Sequence, residues 1–139
     1  MTTFTGDLVN IPDSCCGAAE KRIHDGDHDM TIAFVGNPSV GKSAFFSRVT
    51  GVGVMVSNYP GTTVEMTRGN VKVGQKKIDI VDLPGIYSLG TSTEDERVSK
   101  EYLLREYPDV IVNVVDATRL ERNLYLTLQI LELGVPVVI

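Results

Sequence analysis

The chain has 139 residues, a formal net charge of −5, 42% hydrophobic and 22% charged residues. That length suffices for one domain with a real core, and the negative charge argues against a protein built mainly to hold nucleic acid. No apolar stretch approaches the roughly 20 residues of a membrane helix, and residues 1–30 lack the apolar core of a signal peptide. Residues 1–29 mix Gly, Asp, Ser and Thr with few periodic apolar positions, so a flexible extension is predicted there. Within it Cys15 and Cys16 are adjacent. Neighbours of that kind do not form an ordinary structural disulfide, and a reducing cytoplasm is the simplest compartment for them. The tract His24-Asp25-Gly26-Asp27-His28-Asp29 is a candidate metal site. Its spacing does not match zinc ligation, and acidic-histidine tracts are common in solvated tails.

From Met30 onward strands and helices alternate. Thr31-Ile32-Ala33-Phe34-Val35 is an apolar run of strand length. Ala44 to Thr50 reads as a short helix, with Gly51 as its stop. Val71 to Val73 and Lys76 to Asp82 form a predicted hairpin that turns at Gly74-Gln75. Thr93-Glu94-Asp95-Glu96 is a capping box opening a helix to about Arg105, with Pro108 beyond its end. Val110 to Asp116 is a buried-type strand. Leu120, Leu124, Leu128 and Leu131 then recur at helical spacing, and Gly134 ends that helix. Val135-Pro136-Val137-Val138-Ile139 begins another strand. The order predicts an α/β domain over residues 30–139, a mostly parallel sheet with helices on both faces.

Gly36-Asn37-Pro38-Ser39-Val40-Gly41-Lys42-Ser43 is a complete G-x-x-x-x-G-K-[ST] phosphate loop between a strand and a helix. Its glycines let the backbone curl around a polyphosphate, and N–H groups at the helix start point at the anion, which the helix dipole also favours. Lys42 supplies a positive charge for the β- and γ-phosphates, and the Ser43 hydroxyl is a Mg²⁺ ligand. Asp82-Leu83-Pro84-Gly85 follows the strand Ile78-Asp79-Ile80-Val81. A carboxylate at that strand end faces the ligand crevice. There Asp82 can serve the Mg²⁺ shell, and the N–H of Gly85 can sense the γ-phosphate. Between the motifs, residues 54–66 are rich in Gly and Thr around Tyr59-Pro60-Gly61. Nucleotide switches draw from this interval a threonine that closes over Mg²⁺ and the γ-phosphate. Thr62 and Thr63 are the candidates, with Thr63 preferred. A plain surface loop is the competing reading.

The phosphate loop, Asn58-Tyr59-Pro60-Gly61-Thr62-Thr63-Val64-Glu65 and Asp82-Leu83-Pro84-Gly85-Ile86-Tyr87-Ser88-Leu89 together resemble the GTP-binding domain of the ferrous iron transport protein B family. The most specific stretch runs from Asn113 through Asp116-Ala117-Thr118-Arg119-Leu120-Glu121-Arg122-Asn123-Leu124-Tyr125-Leu126 to Thr127, which general small GTPases lack. The resemblance covers residues 30–139. It implies a Ras-like P-loop domain, incomplete at its C-terminal end, on the cytoplasmic face of a prokaryotic inner membrane, at the front of an Fe²⁺ permease. It also implies GTP and GDP as ligands, Mg²⁺ as cofactor, and hydrolysis of GTP to GDP and phosphate with Lys42, Thr63 and Gly85 in catalytic roles. An Asn-Lys-x-Asp-type motif for the guanine base is expected beyond Ile139. Without it, the isolated chain is expected to be marginal, to self-associate through the strand at 135–139, and to prefer GTP over ATP by less than about tenfold.

Two residues depart from familiar patterns. Potassium-responsive members of the family carry Asn where this chain has Ser39, whose shorter side chain reaches less far toward K⁺. Ras-like GTPases place a water-orienting Gln where this chain has Ile86. Slow hydrolysis, nearly indifferent to K⁺ against Na⁺, is the expectation. The competing functions are a soluble GTPase of the ribosome or tRNA-modification type and a non-catalytic nucleotide-binding or interaction module.

Overall fold

The apolar run after Met30 becomes strand β1 (Met30–Gly36), with Ala33, Phe34 and Val35 buried. A strand buried on both faces belongs in the middle of a sheet, and β1 lies there. It pairs in parallel with β4 (Lys76–Asp82) on one side and β5 (Val110–Val114) on the other. The structure, a computed structural model, describes residues 28–51 and 54–139. The expected N-terminal extension, with Cys15, Cys16 and the tract from His24, therefore lies outside the described residues as far as residue 27. Asp29 is tied to β4: its N–H donates to Lys77 O, and Lys77 N–H donates to Asp29 Oδ2, each at 2.8 Å.

Beyond β5 lies β6 (Val137–Val138), also parallel. Beyond β4 lie β3 (Glu65–Val73) and β2 (Met55–Asn58), both antiparallel to their neighbours. The sheet order is β2-β3-β4-β1-β5-β6. The β3–β4 hairpin turns at Gly74-Gln75 as expected, since Val73 and Lys76 are opposite one another. Within the interval 54–66, where the sequence suggests a switch segment or a plain surface loop, Met55–Asn58 forms strand β2 and Glu65 opens β3, with a turn between them. β2 is held there by its pairing with β3, from Met55 opposite Arg68 to Asn58 opposite Glu65.

Three helices cover the two faces. Helix α1 (Lys42–Thr50) packs Phe46 against Phe34 and Ile80 on one face. Helices α2 (Glu94–Arg105) and α3 (Leu120–Leu131) cover the other, larger core. There Val98, Tyr102 and Leu103 of α2 and Leu126 and Ile130 of α3 meet Ala33, Val35, Val81 and Ile111. Burial pushes the Tyr102 phenol up to about 12. Thr93 caps α2, its hydroxyl accepting the Glu96 N–H at 3.2 Å. The return half of the expected capping box is taken over by Ser88, whose hydroxyl donates to Glu96 Oε1 at 3.0 Å.

Helix α3 forms where the leucine repeat places it, but the repeat faces outward. Leu120, Leu124, Leu128 and Leu131 are all exposed. The buried side carries Asn123 and Thr127 beside Leu126 and Ile130. Both polar residues are satisfied. Asn123 Oδ1 accepts the Asp116 N–H at 3.2 Å, and Thr127 Oγ1 accepts from Asn113 Nδ2 at 2.7 Å. A buried polar group so bonded escapes the desolvation penalty that would otherwise turn this face outward.

Candidate functional site

Parallel strands bring their carboxyl ends to one edge of the sheet, and connecting loops there form the ligand crevice. Phe34 of β1 stands opposite Asp82 of β4. The phosphate loop leaving β1 and the Asp82 turn leaving β4 are therefore neighbours. Gly41 sits at φ 90°, a left-handed conformation that glycine adopts without strain, and α1 begins at the next residue. The first N–H groups of α1 have no helical acceptor and open into a cavity of about 460 Å³. Its walls are Asn37, Pro38, Ser39, Gly41, Lys42, Ser43, Ala44, Gly85 and Asp95.

At its base Lys42 Nζ forms an ion pair and hydrogen bond with Asp82 Oδ1, and both side chains are buried. Ser43 Oγ donates to Asp82 Oδ2 at 3.0 Å. A cation, a hydroxyl and a carboxylate thus meet where the sequence placed the phosphate and Mg²⁺ ligands. The oxygen set suits a hard divalent cation, which takes few protein ligands and keeps several waters. Asn37 is buried, and its Oδ1 has no partner. It is an acceptor open to a donor from water or ligand. Gly85 closes the wall so tightly that a Cβ there would lie 2.9 Å from Pro38 Cα. Next to it, the Ile86 N–H donates to Gly36 O at 3.1 Å.

Other expected site residues stand apart. Leu83 is 1% exposed, its side chain in the large core, and neither it nor Pro84 lines the cavity. Thr62 spends its hydroxyl inside its own turn, donating to Tyr59 O at 3.0 Å and accepting the Val64 N–H at 3.3 Å. Thr63 is exposed on the same turn and contributes nothing to the cavity. The turn joins β2 to β3, and its own backbone bonds hold it shut, Tyr59 N–H to Val64 O and Thr62 N–H to Tyr59 O, each at 3.0 Å. Ser39 is in the left-handed region, at φ 65°, where a residue with a Cβ is strained.

A second cavity, of about 300 Å³, shares the Asn37-Pro38-Ser39 wall and adds Val40, Tyr87, Asp116, Thr118, Arg119, Arg122 and Asn123. The run from Asn113 to Thr127 is specific in sequence, but the residues alone give it no place at the site. Asp116 accepts the Thr118 hydroxyl at 2.7 Å and the Thr118 N–H at 2.9 Å. Those bonds hold its carboxyl below the usual range. Asp95, from the first turn of α2, was likewise not foreseen at the phosphate-loop cavity.

Residues 30–139 match the family model described as ferrous iron transport protein B. The Fe(2+) transporter FeoB of Methanocaldococcus jannaschii is 52% identical over 103 residues, covering 74% of this chain and 15% of the relative. That of Escherichia coli O157:H7 is 45% identical over 114 residues, covering 79% and 15%. The crystal structure of the G domain of the T. maritima FeoB iron transporter superposes with a TM-score of 0.74 at 41% identity. It covers 78% of this chain and 68% of that one. A GDP-bound mutant of S. thermophilus NFeoB gives a TM-score of 0.73 at 49% identity, covering 78% and 42%. The chain thus spans about 15% of the length of the curated relatives it matches. Among the described residues, no helix is long and apolar enough to cross a membrane.

Proposed function

The chain belongs to the ferrous iron transport protein B family, and from that premise we propose that it is the GTP-binding, slowly GTP-hydrolysing switch of an Fe²⁺ transporter. Its place is the cytoplasmic face of the membrane, ahead of the permease region. The observation that carries this reading is the buried cluster of Lys42, Ser43 and Asp82 under the first turn of α1. The GDP in the S. thermophilus relative belongs to the same reading.

In this scheme Lys42 leaves Asp82 for the β- and γ-phosphates, and the amides at the start of α1 receive the phosphate oxygens. Ser43 and Asp82 would hold Mg²⁺, which would neutralise phosphate charge. The Gly85 N–H faces the γ-phosphate position. Thr63, remote from the cavity, must be carried in by movement of the turn at 59–64. Ile86 is 2% exposed and part of the core, so it offers the attacking water nothing, and hydrolysis rests on charge stabilisation and positioning. Titration with a fluorescent GTP analogue and Mg²⁺ tests the assignment. Lys42→Ala is expected to lower affinity at least about 100-fold, roughly 2.7 kcal/mol. Unchanged affinity removes the reading.

A further inference from the structure

Two contacts outside the phosphate loop tie residues 84–93 to α3. The guanidinium carbon of Arg122 lies 4.2 Å from the centroid of the Tyr87 ring. Gln129 Oε1 accepts the Leu89 N–H at 2.7 Å. Both side chains come from one helix, and that helix is itself fixed. Thr127 is bonded to Asn113 of β5, which stands beside β1 as β1 leads into the phosphate loop. The gripped segment includes Gly85, two residues before Tyr87, which lies against Pro38 with no room for a Cβ. Ile86 between them donates its N–H to Gly36 O, so Tyr87 and Leu89 continue a turn that is already tied to the phosphate loop at Gly36 and Pro38.

We infer that Arg122 and Gln129 are positioning residues that hold the 84–93 segment from α3, so that the Gly85 N–H is set for a γ-phosphate. The inference rests on the nucleotide reading above. On this inference, closure over a γ-phosphate keeps the Arg122–Tyr87 and Gln129–Leu89 contacts and opening breaks them. The grip therefore favours a triphosphate over a diphosphate and leaves the shared α- and β-phosphate contacts alone. Arg122 and Tyr87 are both exposed, so the stacked pair contributes the modest amount typical of a solvated cation–π contact.

The test compares a fluorescent non-hydrolysable GTP analogue with fluorescent GDP, both with Mg²⁺, on the intact polypeptide that carries this chain. Arg122→Gln and Gln129→Leu are each expected to weaken the GTP analogue about threefold to fivefold and to shift GDP less than about twofold. Tyr87→Leu reproduces the Arg122→Gln loss, and Tyr87→Phe, which keeps the ring, recovers most of it. The double variant Tyr87→Leu/Arg122→Gln loses no more than either single one. Equal weakening of both nucleotides, additive losses in the double variant, or unchanged ratios overturn the inference while leaving nucleotide binding in place. A wild-type protein that binds neither nucleotide removes the functional reading and this inference with it.

Discussion

Lys42, Ser43 and Asp82 sit beside the carboxyl ends of central strands and are already in contact, whereas Thr62 and Thr63 ride on the turn of an edge hairpin and touch none of them. The difference follows from where each group is anchored. β1 and β4 are paired on both sides, and their core residues are closed over by helices. β2 has one neighbour, and its Met55 and Val56 are 70% and 63% exposed. Packing fixes the strand ends that carry the first group, so only the Lys42 side chain has to turn from Asp82 to a phosphate. The second sits at the tip of a turn whose flanking Tyr59 and Val64 reach into the large core, so drawing Thr63 toward the site has to open the turn's own bonds, the kind of rearrangement a γ-phosphate contact can drive.

The largest expected consequence concerns stability without nucleotide. Lys42→Ala leaves the Asp82 carboxylate buried beside only Ser43, at a cost of about 3 kcal/mol. Thr63→Ala changes stability by less than about 0.5 kcal/mol. Urea unfolding of both variants checks the contrast, and a Thr63 effect as large as that of Lys42 would erase it. Gly85→Ala comes next. Its Cβ is directed at Pro38 Cα, and relief by backbone shift costs about 1–3 kcal/mol. The same unfolding assay reads it, and a loss near zero would mean that the 84–86 turn is as free as the hairpin tip.

Not every part of this contrast is legible in the residues. The phosphate loop and the Asp82 turn are, because their backbone demands are local: a left-handed Gly41, a glycine under Pro38, a strand before and a helix after. The outward face of α3 is not. Periodicity marks Leu120, Leu124, Leu128 and Leu131 as one stripe. Burial goes to the face where Asn123 and Thr127 find partners on residues 113 and 116. Strand β2 is hidden for another reason: Met55, Val56, Ser57 and Asn58 are all exposed and show no alternation between faces. The Arg122–Tyr87 contact joins a helix to a loop remote in sequence, and no local pattern announces it.

A smaller effect belongs to Ser39, strained at φ 65° inside the otherwise preassembled half. Ser39→Gly should gain up to about 1 kcal/mol in thermal or urea unfolding. Ser39→Asn, with a side chain that tolerates the left-handed region, should gain less and raise the ratio of hydrolysis rates in KCl and NaCl. The unsubstituted protein should show a ratio below about ten, equivalent to 1.4 kcal/mol of barrier. A tenfold or larger ratio in the unsubstituted protein would show that Ser39 or the backbone already holds the ion.

Amide hydrogen exchange, read separately over residues 36–43 and 59–64, tests the division of the site most directly. With Mg²⁺ and either GDP or a non-hydrolysable GTP analogue, residues 36–43 should gain protection to a similar degree. Residues 59–64 should gain it with the GTP analogue only, as the turn carrying Thr63 is drawn over the γ-phosphate. Equal protection of residues 59–64 with both nucleotides would contradict the account, leaving a nucleotide-binding domain whose edge hairpin does not report the γ-phosphate.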